Sequence, residues 1–347
     1  MIDARAPEIS VVLVTSDDFE SVRETISHLK AQSVRERLEL VLVAPSAAAL
    51  ALDPAEVEDF HSHRVTEIGG LSSTGAARAA GVRAARAAVV AFAEEHCYPE
   101  PEWARALAAR HAEGWAAVAP AVSNANPKTA TSRANFLLSF APWAEGKAAG
   151  EVERLPWHNT SYKRALLVEY GDALGALLEA EGLLQADLRG KGQRLYFEPA
   201  ARARHLNISR LSSYLGEQFH AGRRYAAALT RFERAPPARR LARACAAPLA
   251  VPLRLANVLR EARRTGRRRD QLTRAIVPLI AGLCAHSAGE ALGHALGAGD
   301  SYRRSSEFEF RHAERLSKAD ELPEGLPPRP PRLARAAAVS RAANEPR

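Results

Sequence analysis

The sequence predicts an α/β protein with a doubly wound, mostly parallel sheet, followed by a helical C-terminal region. Short β-branched segments alternate with helical segments up to residue 122, the pattern of parallel strands joined by crossover helices. After residue 205 the alternation stops and amphipathic helical periodicity replaces it. With 347 residues, 47% of them hydrophobic, the chain can bury one large core or two smaller ones.

Unbroken apolar runs predict most of the strands, because strands buried on both faces lack alternation, and 64–68 is a weaker strand prediction. The predicted strands are 9–14 (ISVVLV), 38–43 (LELVLV), 64–68 (RVTEI), 88–92 (AVVAF) and 115–122 (WAAVAPAV). A glycine loop entering an alanine-rich helix is predicted over 70–88, and a helix over 102–113. A leucine-rich helix is predicted over 172–188.

Three ionisable side chains follow the strand at 88–92. They are Glu94, Glu95 and His96. In open α/β sheets ligands bind beyond the carboxyl ends of the strands, so these groups could hold a divalent cation that bridges a diphosphate. From the tripeptide alone, a solvated loop with a helix cap is an equal alternative.

Four segments, taken together and in order, resemble the family-two glycosyltransferases of the GT-A fold. The segments are 7–16 (PEISVVLVTS), 70–99 (GLSSTGAARAAGVRAARAAVVAFAEEHCYP), 157–164 (WHNTSYKR) and 180–205 (AEGLLQADLRGKGQRLYFEPAARARH). The resemblance implies a GT-A-like sheet and inverting transfer of a sugar from a nucleotide-diphosphate donor. It also implies a divalent cation, Mn²⁺ or Mg²⁺, as cofactor.

The resemblance also implies roles for individual residues. Glu181 matches the general base, with Asp187 and Glu179 as the other candidates; a polar residue on a helix surface is the structural alternative. The implied metal ligands are Glu94, His96 and His205. The implied donor-binding residues are Thr15, Ser16, Arg78 and Glu95.

The segment 157–164 is expected to contact the acceptor. Trp157 could stack on a sugar, while Asn159 and Ser161 could donate or accept hydrogen bonds. A strand edge with a helix cap at Ser161 is the structural alternative. The acceptor is expected to be a lipid-linked glycan or a polysaccharide.

The sequence departs from the family pattern in three places. Residues 43–46 read Val-Ala-Pro-Ser where the family has an acidic pair that contacts the base. The metal motif reads Glu94-x-His96 instead of Asp-x-Asp, and Ala180-Glu181 replaces a Glu-Asp pair. A non-catalytic GT-A-like scaffold of a surface-polysaccharide assembly is therefore the competing hypothesis.

Charge is distributed unevenly along the chain. Residues 1–200 contain 20 Lys and Arg against 27 Asp and Glu, whereas residues 201–275 contain 18 against 4. A cluster of arginines lies beside short apolar segments and consists of Arg263, Arg264, Arg267, Arg268 and Arg269. This combination predicts docking on an anionic membrane surface. The alternative is a packed helical appendage with a solvated arginine face. Nucleic acid is not expected as a partner, because no aromatic residues interleave the arginines.

These patterns predict three regions: a catalytic domain at 1–205, a basic membrane-associating helical region at 206–317 and a disordered proline- and arginine-rich tail at 318–347. The three cysteines show no disulfide or metal spacing, which fits a reducing compartment. No signal peptide is expected at the N-terminus, and the apolar run at 275–285 is shorter than the ~20 residues of a membrane span. We therefore expect a cytoplasmic protein, peripheral on the inner face of the cell membrane.

Overall fold

A computed structural model of the chain describes residues 6–16, 18–71, 73–264, 269–310 and 312–320. Two arginines of the predicted basic cluster, at positions 267 and 268, lie outside these residues. So does the predicted tail beyond residue 320.

One mixed sheet forms the centre of the molecule. Its strands are β1 (Ile9–Val14), β2 (Leu38–Ala44), β3 (Ser62–Glu67), β4 (Val89–Ala93), β5 (Cys97–Pro99), β6 (Ala117–Asn124), β7 (Gly150–Val152), β8 (Ser161–Lys163) and β9 (Leu195–His205). The five predicted strands correspond to β1, β2, β3, β4 and β6. The strands β5 and β7 have only three residues each, which is too short for a recognisable hydrophobic pattern.

The strand order is β3-β2-β1-β4-β8-β6-β9-β5, and β7 also pairs with β9. β1 lies parallel between β2 and β4, with Ile9 in register with Leu38 and Val89. β8 is inserted antiparallel between β4 and β6, and β9 runs parallel to β6. The carboxyl ends of β4 and β9 therefore lie on the same side of the sheet.

The α-helices surround the sheet and extend beyond it. They are α1 (Arg23–Lys30), α2 (Ala47–Leu50), α3 (Thr74–Ala84), α4 (Trp103–Ala112), α5 (Ala130–Phe140), α6 (Arg164–Val168), α7 (Leu174–Leu178), α8 (Glu181–Gly190), α9 (Leu211–Phe232), α10 (Pro237–Ala246), α11 (Ala250–Arg264), α12 (Arg269–Leu296) and α13 (Ser301–Phe310). The predicted α/β class with a helical C-terminal region is confirmed. The prediction of one leucine-rich helix over 172–188 is wrong in one respect. The backbone of Ala180, at φ −140° and ψ 61°, is not helical, so the segment forms two helices, α7 and α8.

Helix α12 packs closely against α9. A side chain at Gly289 would lie 1.9 Å from the carbonyl oxygen of Phe219, and one at Gly293 would lie 2.3 Å from that of Arg223. Glycine at these positions lets the two backbones approach each other. Among the described helices, α12 alone is long and apolar enough to cross a membrane by length and composition, over Leu272–Leu296. A core helix of a soluble domain passes the same test.

The cores on the two faces of the sheet hold β1, β2 and β4 in place. A third apolar cluster joins α5 and α9 to the C-terminal helices, with Tyr214, Leu279 and Leu283 buried at its centre. The C-terminal helices are thus attached to α5 and α9 by apolar packing.

Candidate active site

A cavity of about 1160 Å³ lies between the carboxyl ends of β4 and β9 and the C-terminal helices. One end is ionisable and contains Glu94, His96 and His205. Aromatic and cationic side chains line the remainder, among them Trp143, Trp157, Tyr225, Arg254 and Arg260. A cavity with a polar end and aromatic walls is the ordinary form of a small-molecule site.

Glu94 directly follows β4 and is 4% exposed. Its carboxylate accepts hydrogen bonds from His158 Nδ1 at 2.9 Å and Asn159 Nδ2 at 2.6 Å. Thr25 donates to its backbone carbonyl at 2.9 Å, which fixes the turn. Burial alone would raise the pKa of Glu94, but hydrogen bonds from His158 and His205 outweigh it and hold this pKa well below the ordinary value. Glu94 is therefore an anion at neutral pH.

The three predicted metal ligands are brought together. Glu94, His96 and His205 each offer one ligand atom, and these atoms lie within 4.8 Å of one another. The Nδ1 atoms of both histidines are buried without a hydrogen-bond partner. Burial, together with the nearby His205, lowers the pKa of His96 to about 3, so its ring is neutral and able to bind a metal. Two imidazoles and a carboxylate suit Mn²⁺ better than Mg²⁺, and the residues fit such a cation.

His158 is a site residue that the sequence analysis passed over, although its neighbours were singled out. It has a φ of 73°, which is rare outside glycine, and its backbone N–H donates to Glu181 Oε1 at 2.7 Å. This conformation points its ring at Glu94. Burial and Arg78 lower the pKa of His158, but the carboxylates of Glu309 and Glu94 prevail and raise it to about 9. His158 is therefore a cation at neutral pH.

Arg78 lies on α3 and is 2% exposed, so it is a buried cation and not one on the helix surface. Its guanidinium faces three carboxylates: Glu94 at 3.7 Å, Glu181 at 3.8 Å and Glu309 at 3.5 Å. No residue that the structure describes accepts a hydrogen bond from its Nε or Nη1 atom. This buried cation therefore keeps hydrogen-bonding capacity for a further anion.

Glu181 is the first residue of α8 and is fully buried, so it is not a polar residue on a helix surface. Its carboxylate accepts hydrogen bonds from the backbone of His158 and from the Tyr162 hydroxyl at 3.0 Å. Burial raises the pKa of Glu181 above its ordinary value. The residue holds the left-handed turn at His158, and it does not line the cavity.

The other two predicted base candidates have structural partners. Glu179 accepts hydrogen bonds from Ser73 at 2.6 Å and from Gly75 N–H at 2.8 Å, and it pairs with Arg224 at 2.6 Å. Glu179 therefore links the N-terminus of α3 to Arg224 on α9. Asp187 binds the Tyr170 hydroxyl at 2.6 Å, and it does not line the cavity.

Of the predicted acceptor residues, only Trp157 lines the cavity. Asn159 is 3% exposed and uses its amide to hold Glu94. Ser161 lies inside the sheet on β8, where its hydroxyl donates to Val118 O at 2.8 Å and contacts His111 Nε2 at 2.9 Å. The alternation of β8 turns the Ser161 side chain into the core, where it cannot contact an acceptor. The predicted helix cap at Ser161 is also wrong, because Lys163 is the residue that precedes α6.

The predicted donor residues Thr15 and Ser16 follow β1, at the same edge of the sheet as Glu94. The Thr15 hydroxyl lies 2.8 Å from that of Ser21, and its N–H donates to Val43 O. Glu95 is buried beside Glu94, with 2% exposure. Neither Thr15 nor Glu95 lines the cavity.

Three further ionisable residues in the cavity come from the helical region. Glu309 lies in the last turn of α13, and His312 lies just after that helix, where its ring stacks on His96 at 3.9 Å between centroids. Glu217, on α9, is partly buried, and burial raises its pKa to about 7. Nothing in the local sequence marks these residues, because they reach the site only through the packing of α9 and α13.

No protein-family profile and no curated protein sequence matches the chain. The solved structures that are similar to it include the following two. The first is GalNAc-T7 with UDP, GalNAc and Mn²⁺, at 14% identity and a TM-score of 0.44, over 59% of this chain and 44% of that one. The second is the mannosyltransferase PcManGT from Pyrobaculum calidifontis with GDP-Man and Mn²⁺, at 17% identity and a TM-score of 0.50, over 82% of this chain and 87% of that one.

The chain spans less than half the length of the GalNAc-T7 chain. The similarity to PcManGT extends over most of both chains. It confirms the predicted GT-A-like fold.

The ligand cluster yields the first prediction. We expect Mn²⁺ to bind the protein, and His96→Ala or His205→Ala to weaken that binding by at least ~10-fold, because each change removes a ligand nitrogen. Electron paramagnetic resonance of free Mn²⁺ would measure the affinity. His63→Ala, an exposed histidine on β3, is the control. Equal affinity in all variants would contradict the assignment.

Proposed function

We propose that the protein transfers a sugar from a nucleotide-diphosphate donor to an acceptor, with inversion at the anomeric carbon. The observation that carries the proposal is the buried cluster of Glu94, His96 and His205 at the strand ends of a GT-A fold. PcManGT, which shares the fold, was solved with a nucleotide sugar and Mn²⁺. A divalent cation bound to the cluster would neutralise charge on the diphosphate leaving group.

Arg78 and His158 supply two further positive charges beside this cluster. Arg78 is buried and the His158 side chain is only 14% exposed, so their attraction for an anion is little screened by water. In the proposed reaction the acceptor oxygen bonds to the anomeric carbon while the bond from that carbon to the diphosphate breaks. Arg78 then stabilises the departing diphosphate, and a carboxylate takes the acceptor's proton.

Donor use is the second prediction. In a panel of nucleotide sugars, we expect at least one to raise the melting temperature in a Mn²⁺-dependent manner and to be hydrolysed slowly. Arg78→Gln should reduce both effects, whereas Arg83→Gln, on the same helix, should leave them unchanged. NMR of the product would show whether the configuration at the anomeric carbon is inverted relative to the donor. Donor binding without turnover on any acceptor would favour the scaffold hypothesis, which the missing acidic pair at 43–46 motivates.

Two carboxylates are candidates for the proton acceptor. Glu181 matches the family position and has a raised pKa, but both of its oxygens accept hydrogen bonds within the protein. Glu217 lines the cavity and its pKa is about 7, which is favourable for a general base at neutral pH.

The third prediction separates these carboxylates. Replacing the base with glutamine should lower kcat by roughly 10²–10⁴ while the donor still binds. If Glu217 is the base, kcat/KM of the wild type should rise as pH increases through about 7, because the ionised form accepts the proton. Glu217→Gln would then remove that rise, whereas Glu181→Gln would not. Glu151→Gln, at the exposed end of the cavity, is the control.

We further propose that the acceptor is lipid-linked or a polysaccharide, and that the helical region docks on an anionic membrane. Large apolar side chains on successive C-terminal helices face solvent: Leu241 is 63% exposed, Leu253 69% and Val277 73%. Arg263 and Arg264 are exposed at the end of α11. Apolar groups beside arginines suit the interface of an anionic bilayer.

Vesicle binding is the fourth prediction. Binding should increase with anionic lipid and decrease partly at high salt, because only the Coulomb contribution is screened. It should also decrease when Arg263, Arg264, Arg267, Arg268 and Arg269 are replaced with Gln. Replacement of Arg35 and Arg37, exposed in the acidic half, is the control. Carbonate should extract the peripheral protein, whereas resistance would indicate that α12 inserts into the bilayer.

A further inference from the structure

The segment from Ser301 to Leu316 returns from the helical region to the ionisable end of the cavity. Contacts that do not involve Glu309 hold it there. The hydroxyls of Thr74 and Ser306 lie 3.1 Å apart, and Arg315 O accepts from Arg210 N–H at 3.0 Å. The ring of Phe308 packs so close to Gly216 that a side chain there would lie 2.9 Å from it. The segment is therefore docked independently of its carboxylate.

Glu309 carries the negative charge of this segment into the site. Its Oε1 lies 3.5 Å from Arg78 Nη2 and 3.5 Å from His158 Nδ1. It is 17% exposed, and the exposed part faces the cavity. Of the carboxylates near Arg78, Glu94 and Glu181 are fixed by other hydrogen bonds, as described above. Among the residues that the structure describes, Glu309 makes only these two long contacts.

In this arrangement the Arg78 guanidinium has few hydrogen-bond acceptors among the described residues. Its contact with Glu309 is at the upper limit of a hydrogen bond, and its Nε and Nη1 atoms have no acceptor. A diphosphate brings more oxygen atoms than one carboxylate and would satisfy the guanidinium better. If the diphosphate entered beside Glu309, like charges would face each other in a buried site, which is costly.

We propose that Arg78 and His158 form an anion site that Glu309 occupies as a competitor, and that the segment 301–316 must withdraw this carboxylate before a phosphate-bearing ligand binds. The identification of that ligand as the donor's diphosphate rests on the proposed function. The anion site itself does not.

The experiment uses the full chain and inorganic pyrophosphate, titrated by calorimetry with Mn²⁺ and again with EDTA. Glu309→Gln keeps the side-chain size and removes the charge, so we expect pyrophosphate to bind at least ~10-fold more tightly. Glu307→Gln, exposed on the same helix, should bind like the wild type. In the double variant that combines Arg78→Gln with Glu309→Gln, the tighter binding of pyrophosphate should be lost.

Unchanged or weaker binding by Glu309→Gln would overturn the proposal, and weaker binding confined to the Mn²⁺ titration would identify Glu309 as a cation ligand instead. Hydrogen exchange of the wild type gives an independent measurement. If the segment withdraws, pyrophosphate should increase amide hydrogen exchange in residues 301–310. A decrease in exchange there would contradict the proposed withdrawal. Tighter pyrophosphate binding without turnover of any nucleotide sugar would support the anion site while refuting sugar transfer. If a nucleotide sugar is turned over but Glu309→Gln does not bind pyrophosphate more tightly, only the proposed competition by Glu309 is refuted.

Discussion

The buried Glu94 carboxylate is the group on which the site depends, because a buried charge persists only where neighbouring groups compensate it. His158 and Asn159, which are neighbours in the chain, supply that compensation together with His205 at the end of β9. The need to satisfy one anion therefore explains several features together. Among them are the left-handed backbone at His158 and the placement of Glu181, which holds that turn.

The balance of charge around Glu94 fits a site that binds a cation and an anion together. Three carboxylates, Glu94, Glu181 and Glu309, surround the two cations Arg78 and His158. The excess of carboxylates and the neutral ring of His96 favour a metal ion. The unsatisfied guanidinium atoms of Arg78 favour a ligand with several anionic oxygens.

The helical region is part of this site as well as an attachment to the sheet. Arg224 on α9 pairs with Glu179 next to α8, and Arg254 on α11 pairs with Glu290 on α12 at 2.6 Å. The first pair fixes α9 against the junction of α7 and α8, and the second lies in the wall of the cavity. A ligand in the cavity would therefore contact the same helices that carry exposed apolar side chains.

The local sequence was sufficient for the features that depend on short-range patterns. Buried apolar runs determined β1, β2, β4 and β6, because a strand covered on both faces needs a continuous apolar segment. The partly buried edge strand β3 was predicted from a weaker pattern. Glu94 and His96 could be identified because they directly follow β4. His205 was found from the resemblance of its segment, and the structure brings all three residues together.

Only the tertiary structure decided which other side chains reach the cavity. Ser161 and Asn159 are two residues apart, yet one points into the core of the sheet and the other holds Glu94. Their direction depends on the pairing of β8 between β4 and β6, which a three-residue strand does not reveal. Glu217 and Glu309 lie on amphipathic helices whose patterns show which face is buried, without showing what it is buried against. Their contribution comes from long-range packing of α9 and α13, and single-chain periodicity carries no information about such contacts.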